Sequence, residues 1–193
     1  MEVSFDAADF GRHGPAVAEA WEAFGGLDAA LVAYGSLPDA ETVAHDAEAA
    51  VEAFRLNATS VVSVLTHLAE RFEAQGAGVV AVISSVAGDR GRPSNYVYGA
   101  AKGAVSLFAQ GLRGRLRRSG VRVVTVKPGF VDTPMTADVP KNALFAEPDD
   151  VGRAIHRAMT GGGADVIYTP RFWRPIMAGI RAIPERVFKR LNL

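Results

Sequence analysis

Four short apolar runs, each separated from the next by a helical pattern, constrain the fold of this chain more than any other sequence feature. Such runs are typical of strands that are buried on both faces of a parallel sheet. The predicted strands are residues 27–34, 79–83, 121–126 and 166–168, and the helical patterns include residues 15–24, 47–75 and 148–159. This alternation predicts an α/β fold in which ligands bind beyond the carboxyl ends of the strands.

The composition excludes several classes of protein and of site. The 193 residues carry a formal net charge of zero, so no overall field attracts nucleic acid. The chain has no cysteine, which excludes disulfides and thiolate catalysis, and its four histidines lack metal-ligand spacing, so no metal site is expected. No apolar run approaches the roughly 20 residues of a membrane-spanning helix. We therefore expect a cytoplasmic protein.

The segment of residues 84–102, SSVAGDRGRPSNYVYGAAK, carries the clearest candidate chemistry. Tyr98 and Lys102 are four residues apart, so in a helix they lie on one face, one turn from each other. A neighbouring ammonium group favours the ionised phenol, so Lys102 is expected to lower the pKa of Tyr98 and to make it a proton donor and acceptor near neutral pH. Ser85 follows a predicted strand and is placed to hold a substrate oxygen against the phenol.

The order of these residues resembles the short-chain dehydrogenases/reductases. The resemblance rests on a strand, the Ser-Ser pair, Tyr-Gly-Ala-Ala-Lys, a helix of small residues, a further strand and then Pro-Gly-Phe-Val-Asp-Thr from residue 128. It implies a Rossmann-like doubly wound parallel sheet and an NAD(P)-dependent oxidoreductase that reduces a keto group. Tyr98 is then the general acid, Lys102 binds the cofactor ribose and Ser85 orients the substrate carbonyl. Asn57 completes the implied catalytic set by anchoring a water of the proton relay.

The same resemblance implies a set of cofactor contacts. Besides Tyr98 and Lys102, the implied cofactor-binding residues are Asp6, Gly35, Pro128, Gly129, Val131 and Thr133. The cofactor is NAD or NADP, and the sequence does not distinguish them because the strand that decides between them has no counterpart here. The implied substrate is a small-molecule or lipid-linked ketone, and a homo- or hetero-oligomer is expected.

One part of the family pattern has no counterpart in the chain. The family begins with a strand and a glycine-rich turn that holds the cofactor pyrophosphate. The letters GAGVVA at residues 76–81 precede a strand, whereas the dinucleotide fingerprint must follow one. Residues 3–6 are predicted to be a shortened strand that ends at Asp6. We therefore expect a chain truncated at its N-terminus, and the alternative is a non-catalytic remnant that acts only through association with subunits or partners.

The loop between Ser85 and Tyr98 contains the candidate substrate residues. Arg90 and Arg92 are candidates to bind a phosphate group, because a guanidinium group matches phosphate geometry. A solvated charged loop is equally consistent with the sequence. Tyr96 has no lysine four residues later and is expected to form a wall of the substrate pocket.

Residues 171–193 form a tail that differs in charge from residues 1–170, which are expected to form the Rossmann domain. The tail carries a net charge of +5 and the rest of the chain −5. Pro184 is expected to divide the tail into two short helices. A basic amphipathic segment lies either in a membrane interface, here on the inner face of the membrane, or against the domain or a partner subunit. The predicted apolar stripe is Phe172, Ile176, Ile180, Ile183, Val187 and Leu191.

The tail and residues 84–102 together resemble one branch of the family, the reductase subunits of decaprenylphosphoryl-ribose 2-epimerase systems. That branch implies NADH as the cofactor and a 2-keto pentose on a polyprenyl phosphate as the substrate, and hence a role in cell-envelope sugar metabolism. A polyprenyl phosphate would account for both the arginines of the loop and the amphipathic tail.

Overall fold

A parallel four-stranded sheet forms the centre of the structure, a computed structural model that describes residues 2–191. The strands are β1 (Ala29–Val32), β2 (Gly78–Ile83), β3 (Val121–Pro128) and β4 (Val166–Thr169). They lie side by side in chain order, and every neighbouring pair is parallel. Helices cover both faces, so the predicted Rossmann-like α/β fold is confirmed.

The helices connect the strands and then continue beyond the sheet. One helix precedes β1, three lie between β1 and β2, one joins β2 to β3, one joins β3 to β4, and two follow β4. In chain order they are α1 (Phe10–Phe24), α2 (Ala40–His45), α3 (Ala47–Phe54), α4 (Val61–Gln75), α5 (Tyr96–Leu116), α6 (Pro148–Thr160), α7 (Trp173–Ala182) and α8 (Glu185–Phe188).

Alternate residues of the strands face two separate apolar cores. On one face, Val80 of β2 packs with α4 and α5, where Leu65 and Phe72 are fully buried. On the other face, Ala81 packs with α6, where Val151 and Ile155 are buried. Because both faces of β2 are covered, the strand needs apolar side chains at every position, which explains the continuous run in the sequence.

Strand β1 forms one edge of the sheet. Within residues 2–191 only β2 pairs with it, and Leu31 in its centre is 43% exposed. An unpaired edge presents free backbone groups to solvent and to other chains. The strand covers four residues instead of the predicted eight, because its pairing with β2 ends at Val32.

The predicted strand at residues 3–6 does not form. Asp6 makes a turn instead, because its carboxylate accepts a 2.8 Å hydrogen bond from the backbone of Ala8 and its carbonyl accepts one of 3.0 Å from Asp9. Asp9 then caps α1, which begins five residues earlier than predicted. A short polar side chain that bonds the backbone two residues later favours a turn over a strand.

The tail forms two helices, as the position of Pro184 predicted, but of the predicted stripe only Ile180 packs against the cluster that holds the tail on the domain. Trp173 and Met177 are buried against Val86, and Phe188 is also buried. Four stripe residues remain 37–50% exposed: Phe172, Ile176, Val187 and Leu191. Within residues 2–191 no helix is both long enough and apolar enough to span a membrane, and residues 192–193 of the predicted tail lie outside the described residues.

Candidate active site

The carboxyl ends of β1, β2 and β3 meet at a cavity of about 400 Å³. Gly35 lies beyond β1, Ser85 lies beyond β2, and Pro128 is the last residue of β3. Tyr98 and Lys102 reach the same cavity from the first two turns of α5. The fold therefore brings together five positions that the sequence analysis singled out, in the place where parallel sheets bind ligands.

The side chains of Ser85 and Tyr98 both line the cavity, and the serine hydroxyl lies close enough to the phenol to influence its pKa. The Ser85 Oγ accepts a 3.1 Å hydrogen bond from the backbone of Ala87, which fixes the side chain at the end of β2. Burial raises the pKa of Tyr98, and the serine hydroxyl lowers it to a smaller extent. The predicted decrease in this pKa is therefore wrong for this structure, because burial of the phenol outweighs the effects that favour the phenolate.

Lys102 is 3% exposed and lies beneath the phenol. Its Nζ donates a 3.2 Å hydrogen bond to the carbonyl of Ile83 and lies 5.7 Å from the centre of the Tyr98 ring. Within residues 2–191 no carboxylate forms an ion pair with it. Burial lowers the pKa of Lys102 to about 8, because a buried ammonium group loses its hydration.

Asn57 lies in a π-helical turn, Arg55–Ser60, that joins α3 to α4. The predicted long helix is thus interrupted at the asparagine, and π-helical turns are frequent at functional sites. The Asn57 Oδ1 accepts a 2.9 Å hydrogen bond from the backbone of Ser36, and its Nδ2 donates one of 3.0 Å to the carbonyl of Ala53. This fully buried amide holds the turn after β1, and Gly35 has no space for a side chain because a Cβ there would lie 2.8 Å from Oδ1.

Ser84 has a structural role. Its Oγ donates a 2.8 Å hydrogen bond to the carbonyl of Lys102 and lies 2.7 Å from the Oγ of Ser106. Both partners belong to α5, so Ser84 fixes the helix that carries Tyr98 against the end of β2.

The loop after β3 lines the cavity opposite the helix α5. The residues that the sequence assigned to it are Pro128, Gly129, Val131 and Thr133. Thr136 stabilises the loop, because its hydroxyl donates a 2.6 Å hydrogen bond to the carbonyl of Val131. The indole of Trp173, from the tail, lies directly against Gly129 and completes this wall.

The serine, tyrosine and lysine of this cavity stand in the order and spacing that one family uses, and the chain matches the family described as short chain dehydrogenase over residues 1–144. The chain belongs to this family. It is 38% identical to an uncharacterized oxidoreductase from Mycobacterium tuberculosis over 187 residues, which are 97% of this chain and 75% of that protein.

Solved short-chain dehydrogenases share the fold. One from Burkholderia cenocepacia, in complex with NADP, gives a TM-score of 0.85 at 23% identity, and the match covers 99% of this chain and 78% of that one. Another from Mycobacterium paratuberculosis, bound to NAD, gives a TM-score of 0.75 at 23% identity and covers 85% and 70% of the two chains.

The two loop arginines of this short-chain dehydrogenase have different surroundings. Arg92 lines the cavity, where burial lowers its pKa. Arg90 lies away from the cavity lining, and its guanidinium group binds the tail through the carbonyls of Ile180, Arg181 and Ile183 at 3.2, 3.1 and 2.7 Å. These carbonyls lie at the C-terminal end of α7, where a cation is stabilising. We therefore do not retain Arg90 as a substrate residue.

Three other predicted residues, Asn57, Tyr96 and Asp6, also lie away from the lining of this cavity. Tyr96 is 48% exposed and lines a shallow apolar groove with Val51 and Phe54 of α3. Tyr96 does not line the cavity that holds Tyr98, because the two residues are two positions apart and point to different sides of α5. Asp6, predicted to contact adenine, is exposed in the turn before α1 and does not contribute to the cavity.

A buried ion pair between Asp89 and Lys127 fixes the base of the loop that carries both arginines. The phenol of Tyr168 donates a 2.7 Å hydrogen bond to the same carboxylate. Burial, followed by the hydrogen bond and the charge of Asp89, raises the pKa of Tyr168 to about 12. Nothing in the local sequence indicates that Asp89 has partners on β3 and β4. Among residues 2–191, no group of three or more His, Asp or Glu side chains has the geometry of a metal site.

Sequence reasoning also missed two residues of the cavity wall, Asn95 and Trp173. Asn95 precedes the first residue of α5, so a polar side chain next to the predicted catalytic helix was the signal available. Trp173 is remote in sequence from the rest of the site. No local pattern indicates that the tail returns to the loop after β3.

Proposed function

We propose that this chain is the major part of an NAD(P)-dependent reductase of a keto group. The observation that carries the proposal is the contact of Ser85 with Tyr98 above the buried Lys102, in a cavity at the carboxyl ends of the strands. A hydroxyl pair of this kind can hold a carbonyl oxygen and supply its proton. The oxidoreductase from Mycobacterium tuberculosis, which is similar over almost the whole chain, supports the same class of reaction.

The residues of the cavity fit the nicotinamide end of a dinucleotide. Gly35 packs closely against Lys102, since a Cβ at Gly35 would lie 3.3 Å from the lysine Nζ. The nucleotide, which supplies the hydride, would be held at this end by Lys102 and by the loop of Pro128, Gly129, Val131 and Thr133. The solved relatives with NADP and with NAD support either nucleotide as the cofactor.

Tyr98 supplies the proton in this proposal. Because burial raises its pKa, the phenol is protonated at neutral pH, which is the state required to protonate a ketone oxygen. Ser85 holds the same oxygen, since its hydroxyl lies close to the phenol. Lys102, as an ammonium group beneath the ring, stabilises the phenolate that remains after proton transfer. Asn57 keeps the turn after β1 in place and anchors the relay that returns a proton.

Substitution of Tyr98 tests this proposal. We expect Tyr98→Phe to lower the rate of ketone-dependent NAD(P)H oxidation by about 10²- to 10⁴-fold, the usual contribution of a general acid. Tyr96→Phe is the matched control, because Tyr96 lies outside the cavity, and it is expected to retain the wild-type rate. Retained turnover in Tyr98→Phe would refute the assignment.

A fluorescence titration with NADH and NADPH separates the reductase from the alternative function. Binding of either nucleotide, with loss of affinity in Lys102→Met, supports the reductase. Absence of binding to either nucleotide would favour a non-catalytic subunit that acts only through association with a partner.

A narrower proposal concerns the substrate and the tail. We propose that the ketone is a keto sugar linked to a polyprenyl phosphate, with NADH as the reductant, and that the tail rests on the inner face of the membrane. The support is the exposed stripe of Phe172, Ile176, Val187 and Leu191 in a segment of net charge +5. Co-sedimentation with anionic phosphatidylglycerol vesicles is expected to decrease in Ile176→Ser with Val187→Ser, and equal binding by this variant would contradict the proposal.

A further inference from the structure

The cavity wall contains a cation without a counter-ion. The Nε of Arg92 is buried and has no hydrogen-bond partner, and within residues 2–191 no carboxylate forms an ion pair with this arginine. The residues that line the cavity include no Asp or Glu, and Lys102 is their only other cation. Partial burial of a charge without a partner is costly, so an anion bound in the cavity would offset that cost.

Two further polar atoms of the same wall lack partners. The Oδ1 of Asn95 and the indole nitrogen of Trp173 are both buried without a hydrogen bond. With the Nε of Arg92 they make up three of the four such side-chain atoms found within residues 2–191. Buried polar atoms are normally hydrogen-bonded. Three unpaired atoms at the wall of one cavity therefore indicate that a bound molecule supplies their hydrogen-bond partners. The three side chains offer a cationic donor, a neutral donor and an acceptor.

We infer that Arg92 binds a carboxylate or phosphate group of the keto substrate, and that Asn95 and Trp173 bind neighbouring oxygen or hydroxyl groups of the same molecule. This inference rests on the proposed reductase function, because it assigns the three side chains to the substrate of that site. Asn95 and Tyr98 are one helical turn apart at the start of α5, and Arg92 precedes them in the same loop. The anionic group and the carbonyl must therefore both fit within one cavity of about 400 Å³. The substrate class is a hydroxylated ketone with an acidic group close to the carbonyl.

Three small ketones test the role of Arg92 in turnover. Dihydroxyacetone phosphate and hydroxypyruvate carry a phosphate and a carboxylate, and dihydroxyacetone is their neutral counterpart. In Arg92→Gln we expect kcat/KM for at least one anionic ketone to fall about 30- to 100-fold, because a buried charge loses its partner. The value for dihydroxyacetone is expected to fall much less, so that the preference for the anionic ketone decreases. The anion with the larger loss identifies the group that the site accepts.

Arg115→Gln is the matched control, because Arg115 forms a surface ion pair with Glu73 and lies outside the cavity lining. Arg92→Lys keeps the charge without the planar donor pair and is expected to lose less than Arg92→Gln. Should Arg92→Gln fail to fold, the preference of Arg92→Lys for anionic over neutral ketone decides the question. An unchanged preference in either folded Arg92 variant would overturn the inference.

Calorimetric titration of the chain with the same three ketones, without nucleotide, separates this inference from the proposed function. Tighter binding of an anionic ketone that is lost in Arg92→Gln supports the anion subsite even where turnover is absent. Turnover of dihydroxyacetone with the same kcat/KM as the anionic ketones would overturn the anion subsite but would still support the proposed reductase function. If no ketone is turned over but an anionic ketone binds in a way that depends on Arg92, the reductase function would be overturned and the anion subsite supported.

Discussion

The indole nitrogen of Trp173 lies so close to Gly129 that a Cβ on this glycine would fall 1.9 Å from it. Gly129 lies in the loop after β3, and Trp173 is the first residue of α7. This contact therefore joins the tail to the wall of the candidate active site. The backbone of Gly129 also donates a 3.1 Å hydrogen bond to the carbonyl of Thr169 in β4. The loop is therefore held from both sides, and its position depends on the absence of a side chain.

Gly129→Ala is expected to displace the indole and the loop together. We expect the free energy of unfolding to fall by about 1–3 kcal/mol, the usual cost of overpacking, and ketone reduction to fall with it. Urea unfolding followed by circular dichroism measures the first effect. Gly111→Ala is the matched control, because a Cβ at this position of α5 meets no atom within 4 Å. Its expected effect is a gain of about 1 kcal/mol from helix propensity, and equal stability of the two variants would contradict the prediction.

Arg90→Met is expected to release the end of the tail. The Arg90 side chain is 14% exposed and donates hydrogen bonds to three carbonyls at the end of α7, while its guanidinium carbon lies 4.0 Å from the centre of the Phe188 ring. Loss of these charged hydrogen bonds is expected to cost about 2 kcal/mol of unfolding free energy. Hydrogen exchange measured by mass spectrometry is expected to accelerate in α8.

The control for this variant is Glu185→Gln. Glu185 accepts a 2.7 Å hydrogen bond from Arg90, but its side chain is 77% exposed. An exposed ion pair contributes little, so this substitution is expected to leave exchange in α8 nearly unchanged. A tail that exchanges as slowly in Arg90→Met as in wild type would show that the arginine does not hold it.

Lys102 is expected to make the protein more stable as the pH rises above neutrality. Burial lowers its pKa from 10.5 to about 8, so between these values the unfolded chain binds more protons than the folded one. Stability then rises with pH, and it is lost again as the pH falls toward 8. From pH 7 to pH 9.5 we expect this residue to add about 2 kcal/mol to the free energy of unfolding.

Lys102→Met isolates this effect, because methionine fills a similar volume without a charge. Urea unfolding at several pH values gives the free energy of unfolding of wild type and of the variant. The difference between these two free energies is expected to decrease by about 2 kcal/mol from pH 7 to pH 9.5. Working below pH 9.5 limits the contribution of Tyr98 to the measurement, because burial raises the pKa of this phenol from its usual range. If the difference in unfolding free energy between wild type and Lys102→Met does not change with pH, Lys102 has the same pKa in the folded and unfolded states, which would contradict the prediction.

The sequence by itself determined the four parallel strands and three residues, Ser85, Tyr98 and Lys102, that the structure brings together at one cavity. Periodicity of apolar residues is a local property, so the strands and the long helices appeared within a few residues of their observed positions. The four-residue spacing of Tyr98 and Lys102 is fixed by helix geometry, and Ser85 follows β2 because the apolar run ends there. Asn57 is a poor helix former inside the helical pattern of residues 47–75, and a π-helical turn lies at that position.

Only the tertiary structure decided which neighbours of these positions belong to the site. Arg90 and Arg92 are alike in sequence, yet one binds the end of α7 and the other lines the cavity. In the tail, Phe172 and Trp173 differ by about 100° around the helix. Of the two, only Trp173 faces Val86, and it is therefore the residue that is buried. The pKa of Tyr98 likewise depends on burial, which spacing does not reveal. Local pattern defines elements and their faces, whereas the partners of each face come from chain segments that are distant in sequence.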